Sequence, residues 1–253
     1  MRIAGADWLG RQRPVHLNSL AIPSGLRVAV LAPHPDDFEE AGITMRLLQR
    51  NGNRIALAVL ASGWSGVEDG FCSPPSREEK ARVREIEQQE SLRFFGLSAE
   101  QWTFLRLVED ETGKLTDSRV NAEAVRRYLR EQVPDIVFLP HGNDTNRDHQ
   151  LAWSISRRAA ADLSLPVTVF LIRDPKTVAM RTDAYTTFGE EEADWKARLL
   201  RFHRSQHERN LNTRNKSFDD RILDVNGQAA RELGIPEPYA EAFELESWGR
   251  AAI

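Results

Sequence analysis

Five short apolar runs, each closed by turn residues and separated by longer stretches of helical spacing, limit what this chain can become. The runs are Leu26 to Ala32, Ile55 to Ala61, Trp102 to Leu107, Asp135 to Leu139 and Val167 to Ile172, and the stretches between them cover residues 40–50, 77–95, 118–132 and 149–163. Apolar runs of this length without polar alternation suit strands buried on both faces. Strands that alternate with helices build a mostly parallel sheet with helices on both faces, so the spacing predicts an α/β fold. Gly96, behind Leu92, Phe94 and Phe95, stands where a glycine ends a helix, and Pro134 stops the third helix before its strand. Past Asp174 the pattern loosens. A polar segment from 190 to 210 carries Trp195, Leu199, Leu200 and Phe202 at near-helical spacing and is expected to pack back over the sheet edge or the site. From Asp219 the chain reads as a strand, a turn at Asn226-Gly227 and a short helix to Gly234, followed by Pro236 and Pro238. Residues 1–25 follow neither period and read as an N-terminal extension. Residues 26–253 read as a single domain with a C-terminal helix and strand extension.

A chain of 253 residues can bury a core without disulfides or a structural metal, so clusters of metal-binding residue types call for a chemical explanation. Thirty-four Lys and Arg against 38 Asp and Glu give a net charge of −4, which argues against a nucleic-acid partner. No run of about 18 apolar residues is present, so no transmembrane segment is expected. Asp7 interrupts any secretory h-region, and Cys72 alone cannot form an internal disulfide; the chain reads as cytoplasmic. A homo-oligomer is left open.

Ligands of an open parallel sheet bind beyond the carboxyl ends of its strands, near the point where strand order reverses. After the first run comes Pro33-His34-Pro35-Asp36-Asp37, and after the fourth comes His141-Gly142-Asn143-Asp144-Thr145-Asn146-Arg147-Asp148-His149. If these two strands are neighbours, both clusters open into one crevice. His34 and Asp37, three apart in a tight turn, point the same way and can share an ion, with Asp36 left as a free carboxylate. His149 is the choice for a third ligand. Two imidazoles and one carboxylate make an open zinc site, although another divalent ion would also suit, with a position left for water whose pKa falls to about 7. Asp36 would take the water's proton as general base and pass it to a leaving group as general acid. The plainer alternative is that Asp36 or Asp37 merely caps a helix. His203 and His207, four apart, could share a helix face, but Arg204 stands where a metalloprotease has its glutamate, so a zinc pair is rejected; His203 is assigned to the pocket lining. His141 either approaches the site or is a satisfied buried histidine. Trp64 either provides an aromatic wall for a ligand or covers core. Gly63-Trp64-Ser65-Gly66-Val67 lacks the second glycine of a serine-hydrolase elbow, and Pro33-His34-Pro35 is too bulky for a dinucleotide turn.

Ala32-Pro33-His34-Pro35-Asp36-Asp37 and Asn143 to His149 resemble the two signatures of the PIG-L/LmbE-like zinc-dependent N-deacetylases. Arg84-x-x-Glu87 followed by Gly96, Leu105 to Asp110, Lys196 with His203-x-Ser205-Gln206, and Tyr239-Ala240-Glu241-x-Phe243 fall in the family's order, so the likeness spans roughly residues 26 to 245. The resemblance implies a Rossmann-like sheet and hydrolysis of an N-acetyl group on a glucosamine-type sugar or conjugate. By position it assigns zinc to His34, Asp37 and His149 and the base to Asp36, in agreement with the spacing. It also implies sugar contact for Arg84 and a substrate-facing acid at Asp110, although Arg84 could instead pair with Glu87 or Glu90 on its own helix. Asp148 either orients the adjacent His149 or caps the following helix. Two positions depart from the family pattern. Phe38 replaces a common acidic residue and implies a different contact near the pocket floor. Asn146 stands where a histidine often steadies the oxyanion, a task an amide can also perform. These departures motivate a rival reading, a non-catalytic sugar-binding protein that retains the metal, against which Asp36 speaks.

Overall fold

The computed structural model describes residues 7–161, 163 and 166–249. Its eight strands are β1 (Val15–His16), β2 (Arg27–Ala32), β3 (Arg54–Val59), β4 (Trp102–Phe104), β5 (Ile136–Pro140), β6 (Val167–Ile172), β7 (Ala184–Phe188) and β8 (Tyr239–Trp248). They form one sheet in the order β1-β7-β8-β6-β5-β2-β3-β4, parallel except where β8 runs antiparallel to both β6 and β7. The α-helices are α1 (Gly42–Arg50), α2 (Arg77–Phe95), α3 (Arg119–Gln132), α4 (Arg147–Ala160), α5 (Glu190–Leu200), α6 (Arg204–Arg214) and α7 (Phe218–Leu233).

Alternate residues of β2 face two different layers. Val28, Val30 and Ala32 pack with Leu48 of α1, Leu92 and Phe95 of α2 and Leu199 of α5, whereas Ala29 and Leu31 pack with Val125 and Leu129 of α3 and Ala152 and Ile155 of α4. Both faces of the strand are thus buried, as a strand of continuous apolar residues requires. The helices begin where a polar side chain accepts a free amide. Ser76, Ser118 and Ser217 accept from the backbone N–H of Glu79, Asn121 and Asp220 at 3.1–3.2 Å, and α2 ends on Gly96 in the left-handed region at φ 99°.

The five expected strands form, and the first and fourth of them, β2 and β5, lie side by side. From β2 the chain proceeds to β3 and β4 on one side, then returns to β5 on the other. The carboxyl ends of β2 and β5 therefore flank the switch point of the sheet. Three expectations are corrected. The segment from Asp219 is not a strand and turn but lies within α7, because Asn226 accepts from Lys196 Nζ (3.0 Å) and donates to the Ala240 carbonyl, while Gly227 lies against Pro238 and Tyr239. The polar segment 190–210 divides into α5 and α6. The third run pairs only over Trp102–Phe104, and Arg106 turns at φ 47°.

Residues 7–25 lie along the sheet: β1 pairs with β7, and Leu9 and Leu17 enter the core. Residues 1–6 of the expected extension, and residues 250–253 at the other end, lie outside the described residues. A buried ion pair fixes the position of α1. Glu241 of β8 accepts from the backbone N–H groups of Ile43 (2.9 Å) and Thr44 (2.7 Å) at the helix start, and Lys196 Nζ meets the same carboxylate at 2.6 Å. Among the described residues, no helix is long and apolar enough to cross a membrane.

Candidate metal and catalytic site

The loop after β2 and the first turn of α4 meet above the switch point. Asp37 folds back so that one carboxylate oxygen accepts from the His34 backbone N–H (2.7 Å), which fixes the short turn between them. His34 Nδ1 then lies 3.5 Å from Asp37, and His149 Nε2 lies 3.4 Å from the other Asp37 oxygen. One ligand atom from each of the three residues fits within a group no wider than 4.8 Å. Bonds of about 2.1 Å to a tetrahedral ion would hold neighbouring ligand atoms about 3.4 Å apart, so the donor set fits a single divalent cation.

The two other ring nitrogens face carboxylates. His34 Nε2 is 2.9 Å from Asp148, and His149 Nδ1 is 3.2 Å from Asp144, both carboxylates being buried. Such outer carboxylates set the tautomer and raise the basicity of metal-binding imidazoles. Burial, the strongest influence on each ring, opposes its charge. It is outweighed at His34 by hydrogen bonds to Asp148 and Asp37, and at His149 by Asp37 and Asp144, so the His34 imidazole titrates above its ordinary value and His149 rises to about 10. Burial likewise opposes the Asp37 carboxylate, but the two imidazoles hold it well below the usual range. The carboxylates gathered around the two rings favour positive charge at the centre, as a cation site requires.

Asp36 lies beside this triad in a conformation seldom adopted by a side chain-bearing residue, with φ at 107°. Two α2 residues maintain it. Gln88 accepts from the Asp36 backbone N–H at 2.9 Å, and Arg84, almost fully buried, meets the Asp36 carboxylate at 3.0 Å and donates to the Pro35 carbonyl. Arg84 pairs with neither Glu87 nor Glu90; Glu87 instead accepts from Ser205 at the start of α6.

These groups open into a cavity of about 400 Å³ whose lining includes His34, Asp36, Asp37, Arg84, Asn146 and His149. Asn146 caps α4, its Oδ1 accepting from the Asp148 backbone N–H at 3.0 Å. Because only the amide oxygen can accept there, the Nδ2 donor is fixed on the opposite side of the group. Asp148 is therefore not the cap, and its partner is His34 rather than the adjacent His149.

Several expected residues lie elsewhere. His203 is fully buried, does not line the cavity, and sits 3.1 Å from Glu39 behind α2. Asp110 does not line the cavity but closes the turn whose Thr112 and Lys114 do, accepting from both backbone N–H groups. Phe38 forms no part of the pocket floor: it packs edge-on against Phe95 in the core, 5.0 Å between centroids. Trp64 lies under Arg77 and against Gly113, where a Cβ would come within 2.7 Å of the indole, so Gly113 is required by close approach as well as by its φ of 75°. His141 is turned towards Glu244 at 3.3 Å. The sequence reading missed Asp174, Lys176, Gln206, Arg209 and Arg221, all of which line the cavity.

A family model described as PIG-L, GlcNAc-PI de-N-acetylase, matches residues 29–160, just over half of the chain. The chain belongs to the PIG-L family. That matched span holds both clusters that build the site. Comparison with curated proteins gives no sequence match. Solved structures similar to this PIG-L chain include the N,N′-diacetylchitobiose deacetylase from Pyrococcus horikoshii (20% identity, TM-score 0.69, covering 87% of this chain and 83% of that one). A deacetylase of teicoplanin biosynthesis has 16% identity and a TM-score of 0.66, covering 88% and 96%. GalB, the 4-carboxy-2-hydroxymuconate hydratase from Pseudomonas putida KT2440, has 18% identity and the same TM-score, covering 92% and 99%. At such identities the likeness concerns the fold, which carries both deacetylase and hydratase chemistry.

Proposed function

We propose that this PIG-L protein is a zinc-dependent hydrolase that removes an N-acetyl group from an N-acetylated amino sugar or conjugate, releasing acetate and a free amine. The observation that carries the reading is the convergence of His34 Nδ1, Asp37 and His149 Nε2 at tetrahedral spacing with Asp36 held beside them. A bound divalent ion would supply Lewis acidity towards the acetamide carbonyl and towards water. Asp36 takes a proton from the attacking water as its oxygen bonds to the acetamide carbon. It returns that proton to the nitrogen as the C–N bond breaks. Arg84 positions the Asp36 carboxylate, and Asn146 Nδ2 donates to the oxyanion that develops during attack.

The test is an acetate-release screen over N-acetylated sugars with added zinc. Asp36→Ala should keep the metal and lose turnover, whereas His34→Ala should lose both. A zinc-loaded protein that binds a sugar yet releases acetate from no member of a broad panel would support the non-catalytic rival. An Asp36→Ala variant as active as the parent would overturn the proton-transfer role.

A further inference from the structure

One wall of the cavity is built from α6, α7 and the loop after β6, whose Asp174 adjoins Asp37 and His149, and its charge is unlike that of the rest of the molecule. The chain as a whole carries −4, yet the cavity lining contains six cationic side chains against four carboxyl groups, before any metal is counted. Two of the six have acidic partners: Arg84 meets Asp36 at 3.0 Å and Lys114 meets Asp148 at 3.4 Å. Arg209, Arg214 and Arg221 form no ion pair within 4.0 Å among the described residues, whereas Lys176, though partly buried, is drawn by Asp174 and the neighbouring carboxylates. Two of the three arginines are braced. Arg221 donates to Asn210 Oδ1 at 2.6 Å, and Asn210, itself buried, is tied back to the Gln206 carbonyl at 2.8 Å; Arg209 lies against Gly66, where a Cβ would approach its guanidinium to 3.2 Å. Burial first, and then repulsion from Arg214, holds both guanidiniums below their ordinary values. Gathering like charges on a half-buried wall is unfavourable unless an anion enters among them.

We propose that this wall binds an oxyanion, a phosphoryl or carboxylate group, carried by the substrate on the part remote from its acetamide. Resting on the deacetylase reading, this makes the substrate an acidic N-acetylated sugar or conjugate. Guanidinium groups match the paired oxygens of either anion, and Lys176 adds a point charge.

The experiment compares N-acetylglucosamine with N-acetylglucosamine 6-phosphate and N-acetylglucosaminuronic acid, whose anions sit on C6 away from the C2 acetamide, on the zinc-loaded protein. Calorimetric dissociation constants and acetate release are measured in parallel. At least one acidic sugar should bind about tenfold or more tightly than the neutral one, the effect of a single hydrogen bond to a charged group. The advantage should shrink as salt is raised to about 0.5 M, where the wall is screened. It should collapse in the double variant Arg209→Gln, Arg221→Gln; which acid gains most separates phosphoryl from carboxylate recognition. Equal affinities for neutral and acidic sugars, or an advantage that survives in the double variant, would overturn the proposal. Acetate release without any preference for acidic sugars would sink the wall and spare the deacetylase. A variant-sensitive preference without acetate release would do the reverse.

Discussion

Replacing Asp148 by Asn removes a charge from a buried group with almost no change in shape. Asp148 Oδ2 receives the His34 Nε2 proton at 2.9 Å and lies 3.4 Å from Lys114 Nζ, while Oδ1 accepts from the Leu115 backbone N–H at 3.0 Å. An amide has one oxygen, and the backbone N–H can only donate. If that oxygen stays on Leu115, the amide N–H faces His34 Nε2 and forces the ring proton onto Nδ1, the nitrogen 3.5 Å from Asp37 that should bind the ion. If the amide flips, the Leu115 N–H is left buried and unpaired. Either outcome costs about 1–3 kcal/mol, which corresponds to zinc binding weakened about 5- to 150-fold. The assay is a competition titration against a fluorescent zinc chelator, with circular dichroism to confirm folding and Asp224→Asn, exposed on α7, as the control. A folded Asp148→Asn protein that binds zinc within about twofold of the parent would refute the tautomer argument.

In the metal-free protein, His34 and His149 titrate above the ordinary 6.5, His149 at about 10. Their imidazolium–carboxylate pairs are fully present below 6.5 and are lost as pH climbs through the folded values, so the melting temperature of chelator-treated protein should fall between neutral pH and about 10. Zinc-loaded protein should lose much less over that range, and a flat metal-free profile in differential scanning fluorimetry would contradict the charge assignment. Gln88→Ala leaves the Asp36 N–H without its partner and removes one donor from the Glu39 oxygen that Ser91 also serves. It should cost about 1–3 kcal/mol in urea unfolding and lower kcat with little change in KM, since Gln88 positions Asp36 and does not touch substrate; an unchanged kcat would remove Gln88 from that role.

The parallel half of the sheet was legible because β2, β3, β5 and β6 are buried on both faces and leave continuous apolar runs. β8 was hidden because its Tyr239–Trp248 sequence places glutamates inside: Glu241 is buried only because Lys196, 45 residues away along the chain, meets it. Asn226-Gly227 has the local chemistry of a turn, and tertiary contacts with Lys196 and Tyr239 make it helix instead. Similarly, the residues that follow β2 and β5 could be read as converging groups from strand order alone. Which carboxylate serves which imidazole could not, since Asp144 and Asp148 both precede His149, and the sequence neighbour Asp148 turns to His34 while the more distant Asp144 meets His149. Arg209 and Arg221 belong to helices whose outer faces are uniformly polar, so nothing in their spacing marked them as cavity residues.

Three constellations among the described residues could hold an ion: His34, Asp37 and His149; Asp144, His149 and Asp174; and Asp37, Glu40 and Asp174. Anomalous diffraction at the zinc edge from crystals of the metal-loaded protein distinguishes them. The account predicts one strong peak about 2 Å from His34 Nδ1, an Asp37 oxygen and His149 Nε2. A peak centred on Asp174 and not bound by His34, or no peak from protein shown to contain zinc at full occupancy in solution, would contradict it.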